Sequence, residues 1–284
     1  MKKVVTPDKI GQFKRFLNKP TTMKYGTYYC MEFDLPFSKE NKRMVRVWLP
    51  EGYEFDNPNK RFPVIYMSDG QNLVDRYLSA FGEWEFDKVC HKLNKDIIAV
   101  GIDCPKEPLE RTKELCPPYI PRKEILDTLG DFKNPHVDKY IDYIINNIKP
   151  IIDNLFYTLS DREHTCIGGS SMGGIMSFFA YIYRPEVFGL CLSFSPAFFF
   201  YETEEWRKIL DKYDINPNKN GRVFFYVGGK GFESEFTEPT IWTHHYLQNK
   251  SFKDNQLALV VDLKQEHHEK AWAKYLPEAL EFLL

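Results

Sequence analysis

Between Tyr28 and Pro50, apolar and polar residues alternate with the period of two that turns one face of a strand inward. The alternating stretches Tyr29–Phe33 and Met44–Leu49 flank a polar connection, Ser38–Arg43, and together predict an antiparallel hairpin. Beyond Pro50 the pattern changes. Short unbroken apolar runs stand at Pro63–Met67, Ile97–Ile102, Leu190–Phe194, Val223–Val227 and Ala258–Leu263, as expected of strands covered on both faces. A shorter β-prone stretch lies within Glu163–Gly168. Helical spacing marks Glu83–Leu93, Val137–Leu155, the segment after Ser171, Thr203–Asp214 and Glu269–Leu283. In the segment after Ser171, the residues Ile175, Met176, Phe178, Phe179 and Ile182 share one face. Strands and helices thus alternate after the hairpin, which implies a mostly parallel, doubly wound α/β sheet with right-handed crossovers. The proline-bearing stretch Glu107–Arg122 is expected to be a long surface loop.

Length and charge narrow the picture. The 284 residues show no repeat, low-complexity tract or Pro/Gly-rich linker, so one domain is expected, with residues 1–25 as an N-terminal extension. Lys plus Arg total 38 against 40 for Asp plus Glu, and the net charge of −2 offers no basic footprint for nucleic acid. The start Met1–Lys9 is basic but has no apolar core behind it, and no run approaches a membrane span. A cytoplasmic protein without membrane contact is therefore expected, although a secreted chain trimmed of its leader would look the same. The six cysteines are scattered without a C-x-x-C pair and read as reduced core thiols. His268-Glu269 begins like a zinc-binding H-E-x-x-H but has Trp272 where the second histidine would stand. Gly228-Gly-Lys-Gly lacks the spacing of a phosphate-binding loop, so neither metal nor cofactor is expected. Aromatic residues make up 16% of the chain, enough to line a pocket as well as to fill a core.

The sharpest signal is Cys166-Ile-Gly-Gly-Ser-Ser-Met-Gly-Gly174, which spells G-x-S-x-G in one register only. That register centres on Ser171. Centring on Ser170 would put Met172 where the second glycine belongs. With a strand before it and a helix after it, Ser171 sits where a nucleophilic serine is presented on a strained turn. A serine hydroxyl is a weak nucleophile, so it needs a base in hydrogen-bond reach and a carboxylate to orient that base. The oxyanion that forms should be held by the Met172 N–H and by an N–H from the loop after Pro63–Met67. Gly70 permits close approach there and makes Gln71 the candidate donor, although Asp69-Gly-Gln-Asn72 also suits an ordinary turn. Two histidine pairs lie downstream of Ser171. His244-His245 falls in a helical segment ending at Lys250, where solvated or half-buried rings are the ordinary expectation, and His267-His268 lies between the last strand and the C-terminal helix.

Four segments together resemble the putative-esterase family of α/β-hydrolases, which includes feruloyl, acetylxylan and siderophore esterases and S-formylglutathione hydrolase. They are Phe62–Leu73, Ala99–Asp103 with Arg111 following, Ile167–Gly174 and His267–Leu280, and they extend over about residues 40 to 284. The resemblance implies an α/β-hydrolase fold and a serine carboxylic-ester hydrolase acting on a small-molecule or carbohydrate ester through an acyl-enzyme. In that fold the chain order is serine, acid, histidine, which excludes His91, His136 and His164. The family places its histidine five residues before a tryptophan, so Trp272 points to His267, with His268 as the neighbour. Its acid follows a Gly-rich turn like Tyr226–Lys230. Here Gly231 and Phe232 intervene, so Glu233 is the candidate and Glu235 the reserve. Asp262, later and inside a strand, is expected to be structural. Two other readings stay open: acyl transfer, as in related mycolyltransferases, and a silent scaffold binding sugar or peptide, which the displaced acid allows. The pocket is expected from the Glu107–Arg122 and Pro196–Tyr201 segments.

Overall fold

The computed structural model describes residues 7–16, 19–79, 81–119, 121–129 and 132–284. Residues Met1–Thr6 of the basic start and Ile120 of the proline-bearing stretch lie outside the described residues. Among those described, the strands are β1 (Lys9–Ile10), β2 (Phe13–Arg15), β3 (Thr27–Asp34), β4 (Lys42–Leu49), β5 (Val64–Ser68), β6 (Ile98–Ile102), β7 (Thr165–Ser170), β8 (Leu190–Phe194), β9 (Arg222–Gly228) and β10 (Leu257–Asp262). They form one sheet in the order β1-β2-β3-β4-β6-β5-β7-β8-β9-β10. Pairing is antiparallel from β1 through β4 to β6 and parallel from there to β10. The hairpin has Tyr29 opposite Val47, as the alternation requires.

The helices are α1 (Phe86–Leu93), α2 (Pro108–Leu115), α3 (Lys123–Leu129), α4 (Val137–Tyr143), α5 (Lys149–Leu155), α6 (Met172–Tyr183), α7 (Thr203–Leu210), α8 (Ser234–Asn249) and α9 (Glu269–Leu283). Successive strand residues feed opposite layers. Val64 and Tyr66 join one core with residues of α4, α6, α7 and α8, while Ile65 and Met67 join the other with residues of α1 and α9. Both faces of the parallel strands are therefore covered, which is why their sequences run apolar without alternation. Helix α6 is buried from Gly173 to Ile182, on more than the single face its spacing suggests. Among the described residues, no helix is long and apolar enough to cross a membrane.

Five local expectations are corrected. Glu107–Arg122 is not a loop throughout: it contains α2, with Pro108 in the first turn where its missing N–H costs nothing, and Pro117 just beyond the end. Glu114 of that helix is buried and ion-paired with Arg43 at 2.8 Å. Helix α1 begins at Phe86 rather than Glu83 because Glu85 is left-handed (φ 53), and α7 stops at Leu210 rather than at Asp214. The expected helix Val137–Leu155 widens into a π-turn at Ile144–Ile148, which relieves the clash Pro150 would make with the carbonyl four residues back. Cys30 and Cys104 are half-buried, whereas the other four cysteines lie in the core.

The chain passes from β5 to β6 on one side and then to β7 on the other, so the strand order reverses at β5. In doubly wound sheets the crevice opens at the carboxyl ends of such strands. Ser68–Gly70 and Ser170–Ser171 stand at those ends.

Candidate active site

Ser171 is the hinge between β7 and α6, with φ 59 and ψ −122, a conformation that is costly for a residue bearing a Cβ. Backbone hydrogen bonds on both sides hold it there. Its N–H donates to the Phe194 carbonyl at 3.0 Å, and its own carbonyl accepts from Gly174, Ile175 and Ala197 N–H. The motif glycines answer to a tight neighbour: a Cβ on Gly169 would stand 2.2 Å from Ser68 Oγ and 2.7 Å from the Gly173 carbonyl oxygen. Ser171 is half-buried, while Ser170 is buried at the end of β7. Met172 opens α6, in the first turn whose N–H groups a helix leaves without internal partners.

The loop after β5 is clamped beside this elbow. Asp69 is left-handed (φ 54) and begins the 3₁₀ turn Gly70–Asn72. Both its carboxylate oxygens accept from Arg111 of α2, at 2.8 and 2.7 Å. Gln71 is anchored through its side chain, whose Oε1 accepts the Cys104 N–H at 3.1 Å. Gly70 lies so close to β6 that a Cβ would meet the Gly101 carbonyl carbon at 2.3 Å. Arg111, quoted in the resemblance without a role, thus holds the loop that presents Gln71.

On the far side, Gly231–Glu233 forms a 3₁₀ turn with Gly231 at φ 62. This turn absorbs the two extra residues and brings Glu233 inward, to full burial. Three donors converge on its carboxylate: His267 Nδ1 on Oε2, and Gly228 N–H at 2.8 Å and the Ser195 hydroxyl at 2.5 Å on Oε1. The His267 ring stacks on Phe236 at 4.3 Å and meets Trp272 edge-on at 5.1 Å. Glu235 is exposed on the first turn of α8 and belongs to none of these contacts. His268 caps α9 instead, its Nδ1 accepting the Lys270 N–H at 3.1 Å. Asp262 accepts from Tyr275, Lys274 and Gln265 away from the serine, and the Tyr275 hydrogen bond above all holds its carboxyl well below the ordinary range. In the other histidine pair, His244 is half-buried on α8 and His245 is exposed.

Sequence reasoning missed Ser195, which donates to Glu233 and accepts from the Trp272 indole N–H at 2.9 Å. The available signal was a Ser-Pro pair at the carboxyl end of a central strand. Ser195 also links the two halves of the site, since its neighbours Phe194 and Ala197 are the ones bonded to Ser171. Burial, more than any neighbouring charge, raises the carboxyl pKa of Glu269 and, with the Glu233 charge behind it, the phenol of Tyr226.

A family model described as putative esterase matches residues 38–283. The uncharacterized protein YbbA of Bacillus subtilis (strain 168) is 26% identical over 263 residues, covering 89% of this chain and 97% of that one. Among solved structures, ferric enterobactin esterase from Salmonella typhimurium superposes with a TM-score of 0.64 at 17% identity, over 93% of this chain and 59% of the other. This chain thus spans less than two thirds of that enzyme. An IroE-like serine hydrolase from Shewanella oneidensis gives a TM-score of 0.66 at 16% identity, over 89% of this chain and 78% of that one. These likenesses establish the α/β-hydrolase fold expected from the sequence.

Proposed function

The chain belongs to the putative-esterase family, which makes ester hydrolysis its reaction class, and we propose that Ser171, His267 and Glu233 carry it out as nucleophile, base and orienting acid. The observation that carries this reading is the hydrogen bond from His267 Nδ1 to the buried Glu233 carboxylate, in a chain whose G-x-S-x-G serine stands at positive φ on the strand-to-helix elbow. With Nδ1 engaged, Nε2 is the ring nitrogen free to take the Ser171 proton as Oγ attacks the ester carbonyl. The imidazolium then protonates the leaving alkoxide. Water, deprotonated by the same nitrogen, releases the acyl group. The Met172 and Gln71 N–H groups hold the oxyanion, each such donor being worth about 10²–10³ in kcat.

The substrate we propose is a small-molecule or acylated carbohydrate ester. Phe232, 61% exposed and edge-on to His267 at 5.6 Å, offers an apolar surface for part of it, with Phe199 behind at 6.0 Å. Acetyl, butyryl and feruloyl esters and a thioester, assayed on wild type and Ser171→Ala, test both activity and acyl class. At least one ester should be cleaved, with a loss of about 10³-fold or more in Ser171→Ala. Equal rates in the two proteins would refute the assignment.

A further inference from the structure

We propose that Ser195 and Trp272 are positioning residues that orient the acid: a one-way donor chain, Trp272 Nε1–H to Ser195 Oγ–H to Glu233 Oε1, reserves Oε2 for His267 and sets how strong a base His267 is. The proposal rests on the triad reading above and adds two residues to it.

The direction of the chain follows from donor chemistry. An indole N–H can only donate, whereas a hydroxyl has one hydrogen and accepts through its lone pairs. Trp272 therefore occupies an acceptor site on Ser195 Oγ at 2.9 Å, and the single Ser195 hydrogen goes to Glu233 Oε1 at 2.5 Å. Ser195 is fully buried. Gly228 N–H occupies the same carboxylate oxygen, so rotating Glu233 would leave two buried donors unmet. Ser195 is held in place at some cost, with φ 41 and its N–H bonded to the Tyr226 carbonyl at 2.6 Å. Trp272 is fixed by stacking on Trp84, with ring centroids 5.7 Å apart. Each link is thus fixed by a different part of the core.

Removing the Ser195 hydroxyl takes a donor from Glu233, which leaves more negative charge on the oxygens facing His267. A carboxylate less satisfied by other donors favours the imidazolium and raises the pKa of His267. The other titratable groups around the pair stay in place: Glu269 in the first turn of α9 and His268 at its cap, Tyr226 of β9 beside Glu233, and the exposed Lys230–Glu266 pair that flanks the two in sequence. Helix α8 turns the Phe236 ring toward it.

Ser195→Ala and Ser195→Gly both delete the hydroxyl, but only glycine is at ease with φ 41. The measurements are the pH dependence of kcat/KM for p-nitrophenyl acetate and an NMR titration of the His267 ring, which needs no turnover. Both variants should lose about 10- to 100-fold in kcat with KM within about threefold. In both, the acidic limb and the His267 midpoint should move upward together, by about half a unit or more. Trp272→Phe, which keeps a packed ring but loses the N–H, should shift the same way by less and serves if the Ser195 variants do not fold. An unchanged His267 midpoint in these variants would overturn the relay, as would a Ser195→Gly variant with wild-type kcat beside a crippled Ser195→Ala. Ser171→Ala, assayed alongside, separates the two claims: activity surviving there refutes the triad, while a dead Ser171→Ala with unshifted Ser195 variants refutes the relay alone.

Discussion

The elbow at Ser171 and the turn at Glu233 both follow the carboxyl ends of parallel strands, β7 and β9, but are held by different means. The elbow is written in a short local motif, in which Gly169 and Gly173 admit Ser68 beneath a serine at positive φ, and backbone bonds to Phe194 and Ala197 hold it in place. The Gly231–Glu233 turn has a local bond of its own, Glu233 N–H to the Lys230 carbonyl at 3.3 Å, but its carboxylate is placed from further away. Glu233 is fixed by Gly228 five residues away, by His267 at a separation of 34 and by Ser195 at 38. A nucleophile fixed locally needs an invariant spacing. An acid fixed by distant donors tolerates a lengthened turn as long as its carboxylate still reaches them.

The largest effect expected is at the elbow itself. Ser171→Ala should reduce ester-cleavage kcat by at least about 10³-fold, while Ser170→Ala, altering a buried strand residue, should stay within about tenfold. His267→Ala should match Ser171→Ala, and the double variant should be scarcely worse because the two groups act as one unit. On the acid side, Glu233→Gln should lower kcat by about 10²–10⁴-fold, with Glu235→Gln near wild type. Wild-type kinetics in Glu233→Gln would remove the turn from the mechanism.

Glycine substitutions sharpen the contrast. Gly169→Ala forces a Cβ against Ser68 and the Gly173 carbonyl and should destabilise the fold by about 1–3 kcal/mol in chemical denaturation, with kcat lost as well. Gly231→Ala meets nothing within 4 Å, so only its φ of 62 resists the change. It should cost about 1 kcal/mol and leave kcat within a few-fold. Equal damage from both would mean that the acid turn is as locally determined as the elbow.

The smallest effect expected is electrostatic. Burial raises the folded-state pKa of Glu269 above its unfolded value. Stability from the protonated carboxyl is then present at low pH and is lost as pH rises through the raised folded value. Glu269→Gln should therefore melt slightly above wild type at pH 7.5, and the difference should close toward pH 4. A gain that persists unchanged at pH 4 would show that packing, not ionisation, is responsible.

The same contrast explains what could be read from sequence. Strand runs and the G-x-S-x-G turn are local patterns and stand in the structure where the spacing puts them. Proline content suggested a loop where α2 forms, because Pro108 sits at a helix start, a position that composition alone does not reveal. Glu233 and Glu235 are two residues apart and chemically alike, and only tertiary burial separates them, one being enclosed by donors and the other exposed. Trp272 served as a spacing mark in the resemblance, but its indole partner Ser195 lies 77 residues away. No period or motif spans that distance.

Active-site labelling tests the central claim most directly. The protein would be treated with a fluorophosphonate that phosphonylates activated serines, and the adduct located by tandem mass spectrometry with fragmentation between Ser170 and Ser171. The account predicts one adduct, on Ser171, absent in Ser171→Ala and formed far more slowly in His267→Ala. An adduct on Ser170 or Ser195, or ester cleavage that continues after Ser171 is fully labelled, would contradict it.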